Sequence, residues 1–191
     1  DETIIVVHAL VHPDASWGAM MGATVRALDQ LAEGIRRRSF PVRVSLEINR
    51  HHGVEAPGTT YDSLLEIARR VGNTEVGFCW DMGHSRSSVL QNRLPSAPPP
   101  EFVRKVIHTH VHGLSPEGDT HWPLTESSSH IASGVSQLRR FGYDGTYNLE
   151  LYPMRWGPES AVRNEILGSV LCLQEILDGR RENIGTDCDP G

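Results

Sequence analysis

The sequence predicts an α/β fold built on parallel strands. Three features carry that expectation. Five short runs rich in β-branched and aromatic residues alternate with segments whose apolar residues recur at helical spacing. Short connections join most of them, as in strand–helix–strand units with parallel strands. Each run also carries a histidine, aspartate or glutamate at or near its end. Two architectures fit this pattern, an open doubly wound sheet and a (β/α) barrel.

In chain order, Thr3 to His8 (TIIVVH) reads as the first strand. A helix over Ala19 to Arg38 follows, with Val25, Leu28, Leu31, Ala32 and Ile35 at three- and four-residue steps. Val42 to Ile48 is the second strand. The His51 to Thr60 loop leads to a helix over Asp62 to Val71, with Asp62 as its expected N-cap. The third strand runs to Asp81, and a turn at Gly83 lifts His84 just beyond it. The prolines of Gln91 to Pro100 exclude regular helix there. Val103 to Val111 is the fourth strand, followed by a polar loop over His112 to Ser127. A helix over Ser129 to Phe141 and a turn over Gly142 to Gly145 lead to the fifth strand, Thr146 to Leu151. The last helix spans Pro158 to Leu177, where Ala161, Val162, Ile166, Leu167, Val170, Leu171 and Leu173 form a broad apolar stripe.

The chain has 191 residues, enough for one domain over 1–178 with a polar, frayed tail over 179–191. No apolar run approaches the ~20 residues of a membrane span, and no basic, apolar leader opens the chain, so a cytoplasmic protein is expected. A net charge of −6 opposes nucleic-acid binding. Cys79, Cys172 and Cys188 are widely spaced and odd in number, which favours reduced thiols.

Strand residues alternate faces. One face of the second strand carries Ser45 and Glu47; of the third, Gly77, Cys79 and Asp81; of the fourth, His108 and His110; of the fifth, Asn148 and Glu150. The opposite faces carry Val44 and Leu46, Phe78 and Trp80, Ile107 and Val111, and Tyr147, Leu149 and Leu151. Helices pack on those bulky faces. Carboxylates buried together without a counter-charge are too unfavourable to persist. Glu47, Asp81, His110 and Glu150 therefore imply a divalent cation, with Mn²⁺ or Mg²⁺ suited to an oxygen-rich set and Co²⁺ or Zn²⁺ as alternatives.

Other residues surround this set. His8 ends the first strand as a further ligand or an ordinary polar end. His84 is placed to touch substrate or a second metal ion. Asp119 and His121 form either a metal-closing pair or a solvated loop pair. His108 and His112 are candidates to orient ligands, and His112, Trp122 and Arg155 join His84 as candidate substrate contacts. Trp17, Trp122 and Trp156 either wall a pocket or anchor loops. His12, His51, His52 and His130 read as surface residues.

Glu47 on one strand, Asp81-Met82-Gly83-His84 on the next, His108-Thr109-His110 on the next and Glu150 on the last resemble the xylose isomerase-like TIM barrel superfamily. The resemblance runs from about Ile4 to Leu177. It groups sugar isomerases, ketose 3-epimerases, inosose dehydratase-like proteins and endonuclease IV. It implies Glu47, Asp81, His110 and Glu150 as shared metal ligands and His84 as a substrate or second-metal histidine. His8, Asp119 and His121 match positions that bind additional zinc in the endonuclease branch. The family barrel has eight units over about 250 residues, and the five strands correspond to its last five. A further copy of the chain is one way to complete it, so a homo-oligomer is a candidate state. The loop after His110 lacks the substrate-binding arginine of ketose 3-epimerases.

The expected function is a divalent-metal-dependent sugar or sugar-phosphate isomerase or epimerase acting on a small sugar or polyol. Glu47 and Glu150 exchange the proton on carbon as base and acid. The alternatives are a multi-zinc phosphodiesterase of the endonuclease IV type and a non-catalytic piece of the fold.

Overall fold

The computed structural model describes residues 3–51, 53–72, 75–153 and 158–180. The strands are β1 (Thr3–Val7), β2 (Val42–Glu47), β3 (Val76–Asp81), β4 (Val106–Val111) and β5 (Tyr147–Leu149). The helices are α1 (Trp17–Arg38), α2 (Tyr61–Val71), α3 (Met82–Leu90), α4 (Pro100–Val103), α5 (Ser129–Arg140) and α6 (Glu159–Leu177). The five strands form one parallel sheet in the order β1-β2-β3-β4-β5. An open doubly wound sheet reverses its strand order at a switch point. No reversal occurs here, and the sheet is a curled half-barrel of the TIM type.

Capping chemistry sets the helix starts. Ser16 Oγ accepts from the Ala19 N–H, so α1 begins two residues ahead of the expected Ala19. At α2 the cap is Thr60 rather than Asp62, because Thr60 and Ser63 form a reciprocal capping box. The sequence reading missed α3 altogether. Its residues, MGHSRSSVL, are mostly small and polar and carry no apolar stripe. Asp81 starts it by accepting from the His84 N–H at 2.6 Å. His84 therefore sits in the first turn of a helix, not on an isolated glycine turn. Pro99 and Pro100 seed the short α4, which delays β4 to Val106.

A register shift between Phe78 and Cys79 leaves Ile107 without a partner in the β3–β4 ladder. Its side chain lies over Gly77, where a Cβ would come within 2.7 Å of it. Ile107 thus faces the barrel interior, not the helices as its parity with Val111 suggested. The bulge keeps Asp81 in register with His110.

On the helix side, Val44, Leu46 and Phe78 are fully buried, and Phe102 of α4 packs among the rings of Phe78, Tyr61 and Trp80 at centroid distances of 5.1, 4.7 and 6.1 Å. The expected stripe of α6 is only partly used. Cys172, Leu173 and Ile176 are buried, whereas Ile166, Leu167, Val170 and Leu171 are exposed. No helix among the described residues is long and apolar enough to cross a membrane.

Candidate metal centre

Glu47 is the last residue of β2, Asp81 the last of β3, and His110 lies one before the end of β4. Glu150 lies one past β5, held by its N–H to the Val111 carbonyl at 3.1 Å. These four residues each bring a ligand atom within 4.8 Å of the others. His110 Nδ1 is 2.8 Å from Glu150 Oε2, 3.3 Å from Glu47 Oε2 and 3.9 Å from Asp81 Oδ2. Asp81 and Glu47 are buried, while the Glu150 side chain is 40 % exposed. The structure thus brings these four sequence-predicted residues together.

Burial opposes ionisation of Glu47, yet His110, His8 and His84 hold its carboxyl far below the usual range. Burial also opposes a charged Asp81, but the neighbouring His112 and His84 bring its pKa to about 2. Burial works against a proton on His110, and its contacts with Cys79, Glu150 and Glu47 outweigh that and raise its pKa well above the usual value. The cluster thus takes positive charge from whatever source is present. Asp81 Oδ2, His110 Nδ1 and Glu150 Oε2 are buried atoms with no hydrogen-bond partner, facing one another. Orphaned buried polar atoms of this kind are rare, and three oxygens with one imidazole fit a divalent ion.

A second group adjoins the first. Asp81, His84, His112 and His121 also bring ligand atoms within 4.8 Å of one another. His84 Nδ1 is 3.3 Å from both Glu47 Oε1 and Asp81 Oδ2 and has no hydrogen bond. His112, fully buried, points Nε2 at Asp81 Oδ1 from 3.0 Å, again without hydrogen-bonding geometry. Its Nδ1 lies 2.9 Å from the Gly113 carbonyl and 3.0 Å from the His121 N–H. Gly83 makes room for it: a Cβ there would sit 1.9 Å from the His112 ring. His121 adopts a left-handed backbone, φ 64°, that a non-glycine residue seldom holds without reason. Burial, then the His112 and His84 charges, lowers its pKa to about 4.

Other expected residues lie elsewhere. Asp119 is exposed, and its backbone closes a turn with Ser115. The residue that joins His84 and His121 is His112, because it follows β4 directly and Gly83 admits its ring. Full burial also takes His112 out of reach of a substrate. His8 contacts Glu47 at 2.9 Å but stays 57 % exposed, at the rim. His108 lies beside His110 on the interior face, their rings 5.4 Å apart. Trp122 pairs through its backbone with Gly113 and does not line the cleft. His130, expected at the surface, is part-buried with Nε2 3.4 Å from the His112 carbonyl. Burial pushes the Cys79 thiol up to about 12, so it stays protonated. Arg155, Trp156, His52 and Cys188 lie outside the described residues.

A cleft of ≈ 370 Å³ opens above the centre, within the range of small-molecule sites. Glu47, His84, His121 and Glu150 reach into it. Asn49, Arg50, Thr120, Leu151 and Tyr152 also line it and were not anticipated. Asn49 and Arg50 follow the Glu47 strand end, and Leu151 and Tyr152 follow Glu150. Position just past a barrel strand was the available signal.

The family model described as xylose isomerase-like TIM barrel matches residues 1–169. An uncharacterized protein of Methanocaldococcus jannaschii is 25 % identical over 198 residues, covering 96 % of this chain and 61 % of that protein. Among solved structures, a D-tagatose 3-epimerase-like protein superposes with a TM-score of 0.66 at 20 % identity, over 92 % of this chain and 62 % of that one. The IolI protein, solved with a bound zinc atom, gives 0.62 at 18 %, over 91 % and 64 %. The chain therefore spans about six-tenths of the length of these proteins.

Two outcomes follow from this geometry. Gly83→Ala displaces His112 from behind Asp81 and weakens divalent-metal affinity by about 10- to 100-fold, the range for groups that orient metal ligands; unchanged affinity by calorimetry contradicts it. His110 must also lose its proton to bind a metal ion. Because its pKa is raised, affinity climbs with pH between 6 and 8, by roughly tenfold per unit for one displaced proton. A flat titration over that range counts against His110 as a ligand.

Proposed function

Because this chain belongs to the xylose isomerase-like TIM barrel family, we propose that it acts as a divalent-metal-dependent sugar or sugar-phosphate isomerase or epimerase. Glu47, Asp81, His110 and Glu150 hold the ion, Mn²⁺ or Mg²⁺ by their oxygen-rich character, with Co²⁺ or Zn²⁺ as the alternatives. The observation that carries the reading is a pair of carboxylates, Glu47 and Glu150, that converge from separate strands on one point beneath a cleft. When bound, the ion supplies Lewis-acid polarisation of a carbonyl, which acidifies the neighbouring C–H. Sugar epimerases on the same fold support the substrate class: solved structures that resemble this one include D-psicose 3-epimerase with D-tagatose and L-ribulose 3-epimerase.

The proton transfers then fall to the two glutamates. Glu150, the more exposed, takes the proton from carbon next to the carbonyl, and Glu47 lies across the centre from it. Return from the opposite side inverts the stereocentre. Return by the same carboxylate to the adjacent carbon, with the first carbon's hydroxyl proton passing to the former carbonyl oxygen, moves the carbonyl instead. His121, neutral near pH 7, and His84 face the cleft, where they orient hydroxyl groups. The buried thiols Cys79 and Cys172 suit a reducing, cytoplasmic setting.

A second reading, a multi-zinc phosphodiesterase, is favoured by one observation, the adjoining Asp81, His84, His112 and His121 group. The net charge of −6 weighs against a DNA substrate. Deuterium exchange from solvent into ketoses separates the two, since only proton transfer at carbon incorporates label. Replacing Glu150 with Gln lowers kcat at least about 100-fold, as loss of a general base does, with a smaller change in KM. Retained turnover removes Glu150 from the mechanism. Cleavage of abasic DNA without exchange into any ketose supports the second reading.

A further inference from the structure

Arg50 is the one permanently cationic side chain among the described residues lining the cleft. It lies three residues past Glu47, half-buried, with its N–H on Asn49 Oδ1 at 3.1 Å. Its guanidinium has no hydrogen bond or ion pair among the described residues. The nearby acids are already engaged. Glu47 is held by His8 at 2.9 Å and by His84 and His110 at 3.3 Å. Glu150 is taken by His110 at 2.8 Å, with His121 at 3.7 Å. Glu55, in the same loop, is held by Arg93 at 2.9 Å and His51 at 3.2 Å.

A guanidinium lining the cleft with no partner among the described residues is available to an anion that enters it. We propose that Arg50 recognises an oxyanion at one end of the substrate, so that the sugar or polyol is phosphorylated or carboxylated. The inference rests on the proposed metal-dependent reaction and narrows its substrate class. With the histidines neutral, the three carboxylates outweigh one divalent ion in formal charge. Arg50 is the group that offsets this, and its planar fork suits both phosphate and carboxylate oxygens. Asn49, Thr120 and Tyr152 line the same cleft with neutral polar groups suited to hydroxyls.

The test is calorimetric titration of the Mn²⁺-loaded protein and its Arg50→Gln variant with fructose, fructose 6-phosphate and gluconate. The wild type should bind at least one anionic ligand about tenfold or more tightly than fructose, in line with a charge-assisted contact. Arg50→Gln should remove that preference, with Mn²⁺ content and fructose affinity unchanged, and Arg50→Lys should restore part of it. Preference for fructose 6-phosphate alone identifies a phosphate site, and preference for gluconate alone a carboxylate site. Equal or absent binding of all three, or a preference that survives in Arg50→Gln, overturns the proposal. Failure of the wild type to take up Mn²⁺ contradicts the metal-dependent reading instead, so the two are told apart.

Discussion

Three carboxylates converging at the ends of parallel strands are the constraint on which the rest of this structure turns. Parallel strands that follow one another around a barrel bring their C-terminal ends to one place. Here those ends are Glu47, Asp81 and the Glu150 position. Such a cluster is unfavourable unless positive charge is supplied. The chain surrounds it with His8, His84, His110, His112 and His121, from four different segments. Much local structure serves that placement. Asp81 caps α3 with one oxygen and leaves the other free, Gly83 yields its side-chain volume to His112, and the β3–β4 bulge keeps Asp81 beside His110.

The division of labour within Asp81 shows how the fold and the site are joined. Its Oδ1 accepts the His84 N–H and faces His112, so it is committed to the protein. Its Oδ2 faces His84 and His110 without a hydrogen bond. A helix start and a candidate metal-ligating atom thereby share one side chain, and neither can be altered alone. Packing supports the same point from behind, where Phe78, Trp80 and Phe102 fix β3 against the helices.

The strand ends were legible because alternation and position past a strand are local properties of sequence. Glu47, Asp81, His110 and Glu150 could be assembled from them. What was not legible depended on contacts distant in sequence. The helical first turn at His84 needed the Asp81 cap more than any periodicity, since α3 has no apolar stripe. His112 rather than Asp119 joins His84 because of the space at Gly83, which spacing does not report. The inward turn of Ile107 follows from a bulge. On α6, Leu167 and Leu171 stay exposed, as does Ile5 on β1, which pairs only with β2 among the described residues. Those apolar surfaces lie on a half-barrel that spans about six-tenths of its relatives.

Metal content per chain, measured by elemental analysis on the purified protein and on Asp81→Asn, bears most directly on the centre. The account predicts a tightly held divalent ion in the wild type and its loss in the variant, since Asp81 belongs to both ligand groups. Equal metal content in the two proteins, or none in a folded wild type, would contradict it.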